Sequence, residues 1–412
     1  MFVWCYYIIV TFKVIKIIKK GNENGWGGTM IYLDSAATAK YSNVDDIIII
    51  NTMTDAMKSL WQNPSSLYAT AVKEEINKCR KNIAKFVGAK SDEIYFTSGS
   101  SESNNWAIRG WVDKQLIDTF KMVNVITTPI EHKSILEAVK NQCLGACIRY
   151  CDVDEFGLVD CWSLKKLLAF REGEPILVSI GMANNEIGVV QNIKEISDLV
   201  HSYGGVLHID ATQSLGHIPI DVEKLGVDMM SVSGHKISPV LKGIGFLYIK
   251  NGINIQPLIY GVQENGLRGG TEFAYGIIGL SKSLELCDIT QESVDKLCAK
   301  RDYFIGSLKS KFGCKLNGSQ QQRLPNNINI VFPQNITGES LLYTLEMSGI
   351  QISTGSACNS KSITPSHVLK EIGLSDADAM KTVRFTLSND ITYEEIDRVI
   401  EEIDKSIRII DL

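Results

Sequence analysis

The chain has 412 residues, 44% hydrophobic and 22% charged, with a formal net charge of −5. That is length for two or three domains and apolar content for a large core, and the acidic balance excludes a basic nucleic-acid footprint. Its ten cysteines are scattered, which argues against a disulfide framework and for a reducing cytoplasm.

Met1 to Ile18 is rich in aromatic residues and isoleucine, but Lys13 and Lys16 break it. The uninterrupted apolar part is too short to span a bilayer, and its charges follow it where a signal peptide carries them first. The simplest reading makes residues 1–29 an extension ahead of a natural start at Met30, with a membrane-surface anchor as the alternative. From Asp45 to about Leu286, apolar runs alternate with helical patterns, at 93–97, 122–127, 176–180, 205–209, 229–232 and 245–249. That alternation predicts an α/β fold with a mostly parallel sheet covered on both faces by helices. From about Thr290 the rhythm becomes α+β, with a helix over 294–311, strands near 327–331 and 383–387, and a final helix opened by Thr392 and Glu395 as a capping box. The expected organisation is a segment 30–44, a large cofactor domain 45–289 and a small C-terminal domain 290–412.

Polar residues gather where the apolar runs stop. Ser98 to Asn105 opens a helix containing Trp106, Ile108 and Trp111, and small residues there offer N–H groups to a phosphate as readily as they make an ordinary cap. Glu131-His132-Lys133-Ser134 and Met182 to Gly188 each follow an apolar strand; a satisfied polar histidine and an asparagine turn are their plain readings. Cys143, Cys147 and Cys151 are interrupted by a Gly145-Ala146 turn, residues 147–151 read as a strand, and no fourth ligand lies near, so a structural role is expected and no metal. His208-Ile209-Asp210-Ala211-Thr212-Gln213 puts a carboxylate at the carboxyl end of a strand. Ser231-Val232-Ser233-Gly234-His235-Lys236 sets a lysine beyond another, among small hydroxyl residues; it suits a Schiff-base lysine, or a surface lysine after a strand. Pyridoxal phosphate enzymes need that lysine together with an acid that keeps the pyridine nitrogen protonated.

Gly266 to Glu272 is a glycine-rich loop that reads as a surface turn. Ser353 to Ser360 is a run of small residues around Cys358, predicting a mobile loop rather than a strand or helix. It should end at Thr364-Pro365, an N-cap with proline at the first helical position, opening a helix that stops at Gly373. A nucleophile that attacks a bound substrate and then offers its cargo to another protein needs such an exposed thiol. Arg384 alternates with Val383 and Phe385 on a short strand, where a guanidinium fork suits a carboxylate.

In this order, from about Ile31 to the C-terminus, the motifs resemble the cysteine desulfurases of the class V aminotransferase family, the group with the longer catalytic loop. The resemblance implies the PLP-dependent aminotransferase-like fold (fold type I), with residues 30–44 packing on the small domain. It implies pyridoxal 5′-phosphate (PLP) as cofactor, with Cys358, Lys236 and His132 catalytic. Ser100, Ser101, Ser233 and His235 would take the phosphate, His132 would lie over the pyridine ring, Asp210 would pair with its nitrogen and Gln213 with the phenolic oxygen. Asn185 and Arg384 would meet the substrate. Thr271 would reach the neighbouring subunit's phosphate, implying a homodimer with shared active sites. L-cysteine would become alanine, its sulfur held as a persulfide and passed to an acceptor protein, an iron–sulfur scaffold or a sulfur carrier; no nucleic acid and no membrane is expected. Three positions depart from the pattern: Ser101 stands where threonine is commoner, Gly261-Val262-Gln263 is less glycine-rich, and the turn Ser238 to Gly243 is one residue longer. Rival readings are a selenocysteine lyase, a class V aminotransferase, which has no need of Cys358, and a non-catalytic scaffold on the same fold.

Overall fold

A computed structural model describes residues 30–141, 145–170, 173–334, 336–354, 356–359 and 362–410, with 356–359, 362 and 363 described by their backbone alone. Residues 1–29 and Cys143 lie outside the described residues. The chain opens with β1 (Ile31–Tyr32) and continues through β2 (Ile94–Thr97), β3 (Val123–Thr127), β4 (Ala146–Tyr150), β5 (Ile176–Gly181), β6 (Val206–Asp210), β7 (Met229–Ser233) and β8 (Gly245–Ile249). The last seven form one sheet in the order β2-β8-β7-β6-β5-β3-β4. Only β8 runs antiparallel to its neighbours; the other pairs are parallel. All six apolar runs expected as strands are in this sheet.

Its central strands are apolar on both faces because helices cover both. Met230 and Phe246 pack into a core shared with the helices Thr70–Val87 and Ala274–Leu286, while Met229 and Leu247 alternate to the other face, against Trp106, Trp111 and Ile135. The interleaved crossovers leave the carboxyl ends of β5, β6 and β7 side by side.

Beyond residue 290 follow β9 (Lys315–Leu316), β10 (Asn327–Val331), β11 (Ile350–Gln351), β12 (Ser353–Thr354), β13 (Ser356–Asn359), β14 (Ser362–Pro365) and β15 (Thr382–Thr386). An antiparallel sheet in the order β12-β15-β10-β9 shares a core with the helices Gln291–Phe312 and Tyr393–Ile410. The final helix opens as expected: Thr392 N–H donates to Glu395 Oε2 at 2.9 Å, and Glu395 N–H to Thr392 Oγ1 at 3.1 Å. Strand β1 pairs with β11, so Ile31 and Leu33 enter this second core before the chain crosses to the large sheet, where Ala39 N–H donates to His235 O at 3.1 Å. Among the described residues no helix is long and apolar enough to cross a membrane.

Two expectations need correction. The segment around Cys358 is a hairpin, β13 against β14, with Cys358 opposite Ile363 in register, where a loop was expected. Small residues carry no bulk against this pairing, and it gives their backbone groups partners once the chain has left β12. The following helix, His367–Glu371, is capped by Ser366, whose Oγ accepts from Val368 N–H at 3.1 Å and Leu369 N–H at 3.4 Å. Thr364 and Pro365 end β14, an edge strand on which a proline has no N–H to lose. The stop is where glycine predicts it: Gly373 has φ 92°.

Candidate active site

The carboxyl ends of β5, β6 and β7, the N-terminus of the helix Ser100–Asn105 and the crossing segment at Ala36 and Ala37 enclose a cavity of about 400 Å³. Lys236, Asp210, His132, Gln213, Asn185 and Arg384 all line it, as do Ser100, Ser101 and His235. Ser233 lines an adjoining cavity of about 410 Å³ together with those last three residues. Residues more than 280 positions apart in the chain thus meet at one place.

Strand β7 ends at Ser233, and one tight turn, Gly234–Lys236, delivers the lysine. A Cβ on Gly234 would come 3.0 Å from the Leu241 carbonyl, a tight contact that glycine avoids. Lys236 Nζ donates to the carbonyls of Ala36 and Ala37 at 2.6 Å each, and Gln213 Nε2 to that of Ala36 at 3.0 Å. Burial, and then the Arg384 guanidinium, pull the ammonium down to about 8. A lysine in that range reaches its neutral, nucleophilic form near physiological pH.

Asp210, 8% exposed, is held by two donors: Asn104 Nδ2 to Oδ2 at 2.7 Å and Thr212 N–H to Oδ1 at 2.9 Å. Each oxygen keeps acceptor capacity toward the cavity. Beneath it His208 lies between the hydroxyls of Ser179 at 2.8 Å and Ser231 at 2.9 Å, and burial pushes its pKa down to about 4, so it is neutral. His132 caps the helix Lys133–Lys140 through Nδ1, which accepts from Ser134 N–H at 3.1 Å. Burial, only partly opposed by Asp210, lowers its pKa. Next to it the Glu131 carboxyl accepts from Thr128 Oγ1 at 2.6 Å and Gly181 N–H at 2.7 Å; burial pushes it up to about 7, with Asp210 adding to the rise.

The two asparagines both line the cavity, and Asn184 also makes the turn, its Oδ1 accepting from Glu186 N–H at 2.9 Å and Ile187 N–H at 3.0 Å. Arg384, on β15, donates through Nη1 to Asn185 O at 3.0 Å and through Nη2 to Asp34 Oδ1 at 2.6 Å, and its buried Nε has no partner among the described residues.

At the other end, Gly99 holds φ 146° before the serines. A Cβ on Gly99 would lie 3.1 Å from Ser233 Oγ, and one on Gly245 would lie 2.7 Å from Gly99 Cα, so two glycines let the strand ends close to a narrow cradle. Ser233 Oγ and His235 Nδ1 are 2.8 Å apart, and burial with Lys236 and Lys242 nearby pushes His235 down to about 4. In the longer turn Leu241 tucks into the core and Lys242 lines the cradle side, while Gly234 N–H still reaches Ile244 O at 2.9 Å.

The side chain of Cys358 lies outside the described residues, and Thr271 is exposed and lines neither cavity. The loop before Thr271, read as a surface turn, is tied down within the chain. Arg268 Nε donates to Glu102 Oε1 at 2.8 Å and Nη2 to Oε2 at 3.2 Å, and Gly270 N–H donates to Gln263 Oε1 at 3.0 Å. Folding brings Glu102, 166 residues away in sequence, onto that arginine. Asn104, Glu131, Thr212 and Asp34 were not assigned from sequence. The short polar spacing of Asn104 after Ser100 and Ser101 was the only local hint.

A lysine, a carboxylate and a hydroxyl-rich cradle at adjoining strand ends define an enzyme class that holds a phosphorylated aldehyde cofactor. The family model Aminotransferase class-V matches residues 31–399, and the chain belongs to that family. It is 41% identical over 383 residues to the cysteine desulfurase IscS of Dictyoglomus turgidum, covering 92% of this chain and 94% of that protein. Among solved structures, a NifS-like protein superposes with a TM-score of 0.83 at 32% identity, over 92% of this chain and 100% of that one. SspA, solved in complex with cysteine, does so with a TM-score of 0.75 at 33% identity, over 87% and 99%. Pyridoxal 5′-phosphate, the cofactor of this family, meets a fitting donor set: the cradle that a Cβ would fill, the buried Thr212 hydroxyl without a partner among the described residues, and Asp210 with acceptor capacity left.

Proposed function

We propose that this chain is a PLP-dependent L-cysteine desulfurase, in which Lys236 holds the cofactor, Asp210 its ring nitrogen, Gln213 its phenolic oxygen, and Ser100, Ser101, Ser233 and His235 its phosphate. The cofactor supplies an electron sink for the substrate's Cα. Arg384, which lines the cavity, binds the substrate carboxylate with Asn185 beside it. Lys236, pulled down to about 8, takes the Cα proton on Nζ and returns it to carbon. His132 moves protons at the same face. The Cys358 thiolate attacks the substrate sulfur, forming an S–S bond as the Cβ–S bond breaks. Cysteine and the Cys358 thiol thereby become alanine and a Cys358 persulfide, atom for atom.

The observation that carries the desulfurase reading is how the Cys358 hairpin is tethered. It leaves the small sheet beside Ser353, the register partner of Arg384, and returns to Ser366, whose hydroxyl donates to the Glu186 carboxylate. His367 Nε2 then meets Glu131 O at 3.1 Å. Arg384 lines the cavity at one end of the hairpin; at the other, Glu131 lines it and Glu186 adjoins Asn185, so each end is tied to a wall of the cavity. The sulfur passes on to an acceptor protein, an iron–sulfur scaffold or a sulfur carrier. The enzyme works as a homodimer with shared sites, a reading that the exposed Thr271 outside both cavities supports. It is organised as segment 30–44, large domain 45–289 and small domain 290–412, in agreement with its two separate cores. The cytoplasm is its compartment, in keeping with the unpaired cysteines among the described residues.

Cys358→Ala tests this. The variant should bind the cofactor and shift its absorbance on adding cysteine, yet form no persulfide, with alanine release falling by several orders of magnitude. Mass spectrometry of the wild type after brief exposure to cysteine should place the extra sulfur on the peptide containing Cys358. A fully active Cys358→Ala enzyme would overturn the reading.

A further inference from the structure

Asn104 is fully buried on the helix Ser100–Asn105, and its Nδ2 makes two bonds: to Asp210 Oδ2 at 2.7 Å and to Ser134 Oγ at 2.8 Å. We propose that Asn104 is a positioning residue that ties Asp210 to Ser134 and so keeps the neutral ring of His132 protonated at Nε2. The proposal rests on the reading of this cavity as the cofactor site.

Hydrogen-bond direction can be followed from one end to the other. The Asp210 carboxylate only accepts, so the amide of Asn104 must face it with nitrogen; turned over, Oδ1 would oppose a carboxylate oxygen. The amide's second proton then goes to Ser134 Oγ. With its oxygen engaged as acceptor, the Ser134 hydroxyl has its own proton for the contact it makes with His132 Nδ1, at 2.8 Å. Ser134 N–H gives the same nitrogen a second donor at 3.1 Å. A ring nitrogen that accepts from two donors carries no proton, so the neutral ring carries it on Nε2.

The arrangement has an energetic mark. Among the described residues Asn104 Oδ1 is buried without a partner, and leaving a buried acceptor unmade costs free energy. The residue is kept in that unsatisfied state by the two bonds its nitrogen makes. Through space the Asp210 carboxylate favours a charged His132, but the relay through Asn104 turns the Ser134 hydroxyl into a donor to Nδ1, beside the Ser134 N–H, and so opposes a proton there. The consequence for the reaction is directional. Nδ1 is committed to the protein, and Nε2–H is left to serve the cavity that His132 lines. His132 enters turnover as a donor at Nε2.

The test is 15N NMR of the holoenzyme labelled in histidine, with His132→Gln to assign the ring. The wild type should show Nδ1 as a bare nitrogen and Nε2 as N–H. Asn104→Ala frees the Ser134 hydroxyl to turn and accept, and Ser134→Ala removes it while leaving the Asn104–Asp210 bond. In both, Nδ1 keeps only the Ser134 N–H donor, so a share of the rings should take the proton at Nδ1 and that resonance should move part of the way toward the N–H range. A wild-type ring protonated at Nδ1, or variants that keep the wild-type pattern, would overturn the proposal. Should Asn104→Ala not fold, the half-buried Ser134→Ala decides alone. Proton position is read without turnover, so failure to release alanine from cysteine would sink the proposed activity and leave this result standing. A residue serving packing alone would change the melting temperature and not the tautomer.

Discussion

Two buried groups beside Asp210 titrate in opposite senses, and removing either should unmask the other. His208 is fully buried, with a folded pKa pushed by burial from the ordinary 6.5 to about 4. Below about pH 6.5 the unfolded chain binds a proton that the folded chain refuses until about pH 4, so stability falls with pH across that window, by about 3 kcal/mol at about 1.4 kcal/mol per unit. Glu131 does the reverse. Burial raises its folded pKa from 4.5 to about 7, so between about pH 7 and 4.5 the folded chain holds a proton that the unfolded chain has lost. Stability rises as the pH falls through that range, by a similar amount of about 3 kcal/mol. In the wild type the two largely offset. His208→Gln can still bond both serines but does not titrate. In urea titrations from about pH 7 to about pH 4, the wild type should lose about 3 kcal/mol relative to it. Against Glu131→Gln the wild type should instead gain about 3 kcal/mol between about pH 7 and 4.5. The other histidines are common to all three proteins and drop out of the differences. Wild-type and His208→Gln curves that run parallel with pH would show that His208 is not held neutral by its site.

Gly245→Ala should place a Cβ 2.3 Å from Val232 O and 2.7 Å from Gly99 Cα, so the strands must part. We expect a loss on the order of 1–3 kcal/mol with weaker cofactor binding; an unchanged melting temperature and an unchanged cofactor titration would show that the cradle can yield. Lys236→Ala should lose the cofactor–lysine linkage that borohydride traps; a variant that still traps it would mean another lysine serves. Mixed dimers of Lys236→Ala with a cofactor-weakened Thr271 variant should regain one complete site, and stable mixed dimers without activity would refute sharing through Thr271.

The alternation of apolar runs decided the large sheet, because strands covered on both faces must be apolar throughout, and all six expected runs became neighbours in it. Local chemistry was equally legible where its partner lies within one turn: Thr392 and Glu395 cap the last helix as their spacing requires. Polar residues at strand ends marked Asp210 and Lys236 because such ends must hold their side chains above the sheet. The partners of those residues were not legible. Asn104 meets Asp210 across 106 positions, Asp34 meets Arg384 across 350, and Glu102 takes Arg268 across 166. None of these pairs has a periodic signature, since each joins separate elements whose approach is set by how the layers pack. The hairpin at Cys358 was missed for the same reason: glycine and serine suit a loop in isolation, and only the nearby β12, Glu186 and Glu131 determine where that segment is pinned. Composition and spacing determine which elements form and which residues stand at their ends, whereas burial and long-range contact decide the charge each of those residues carries.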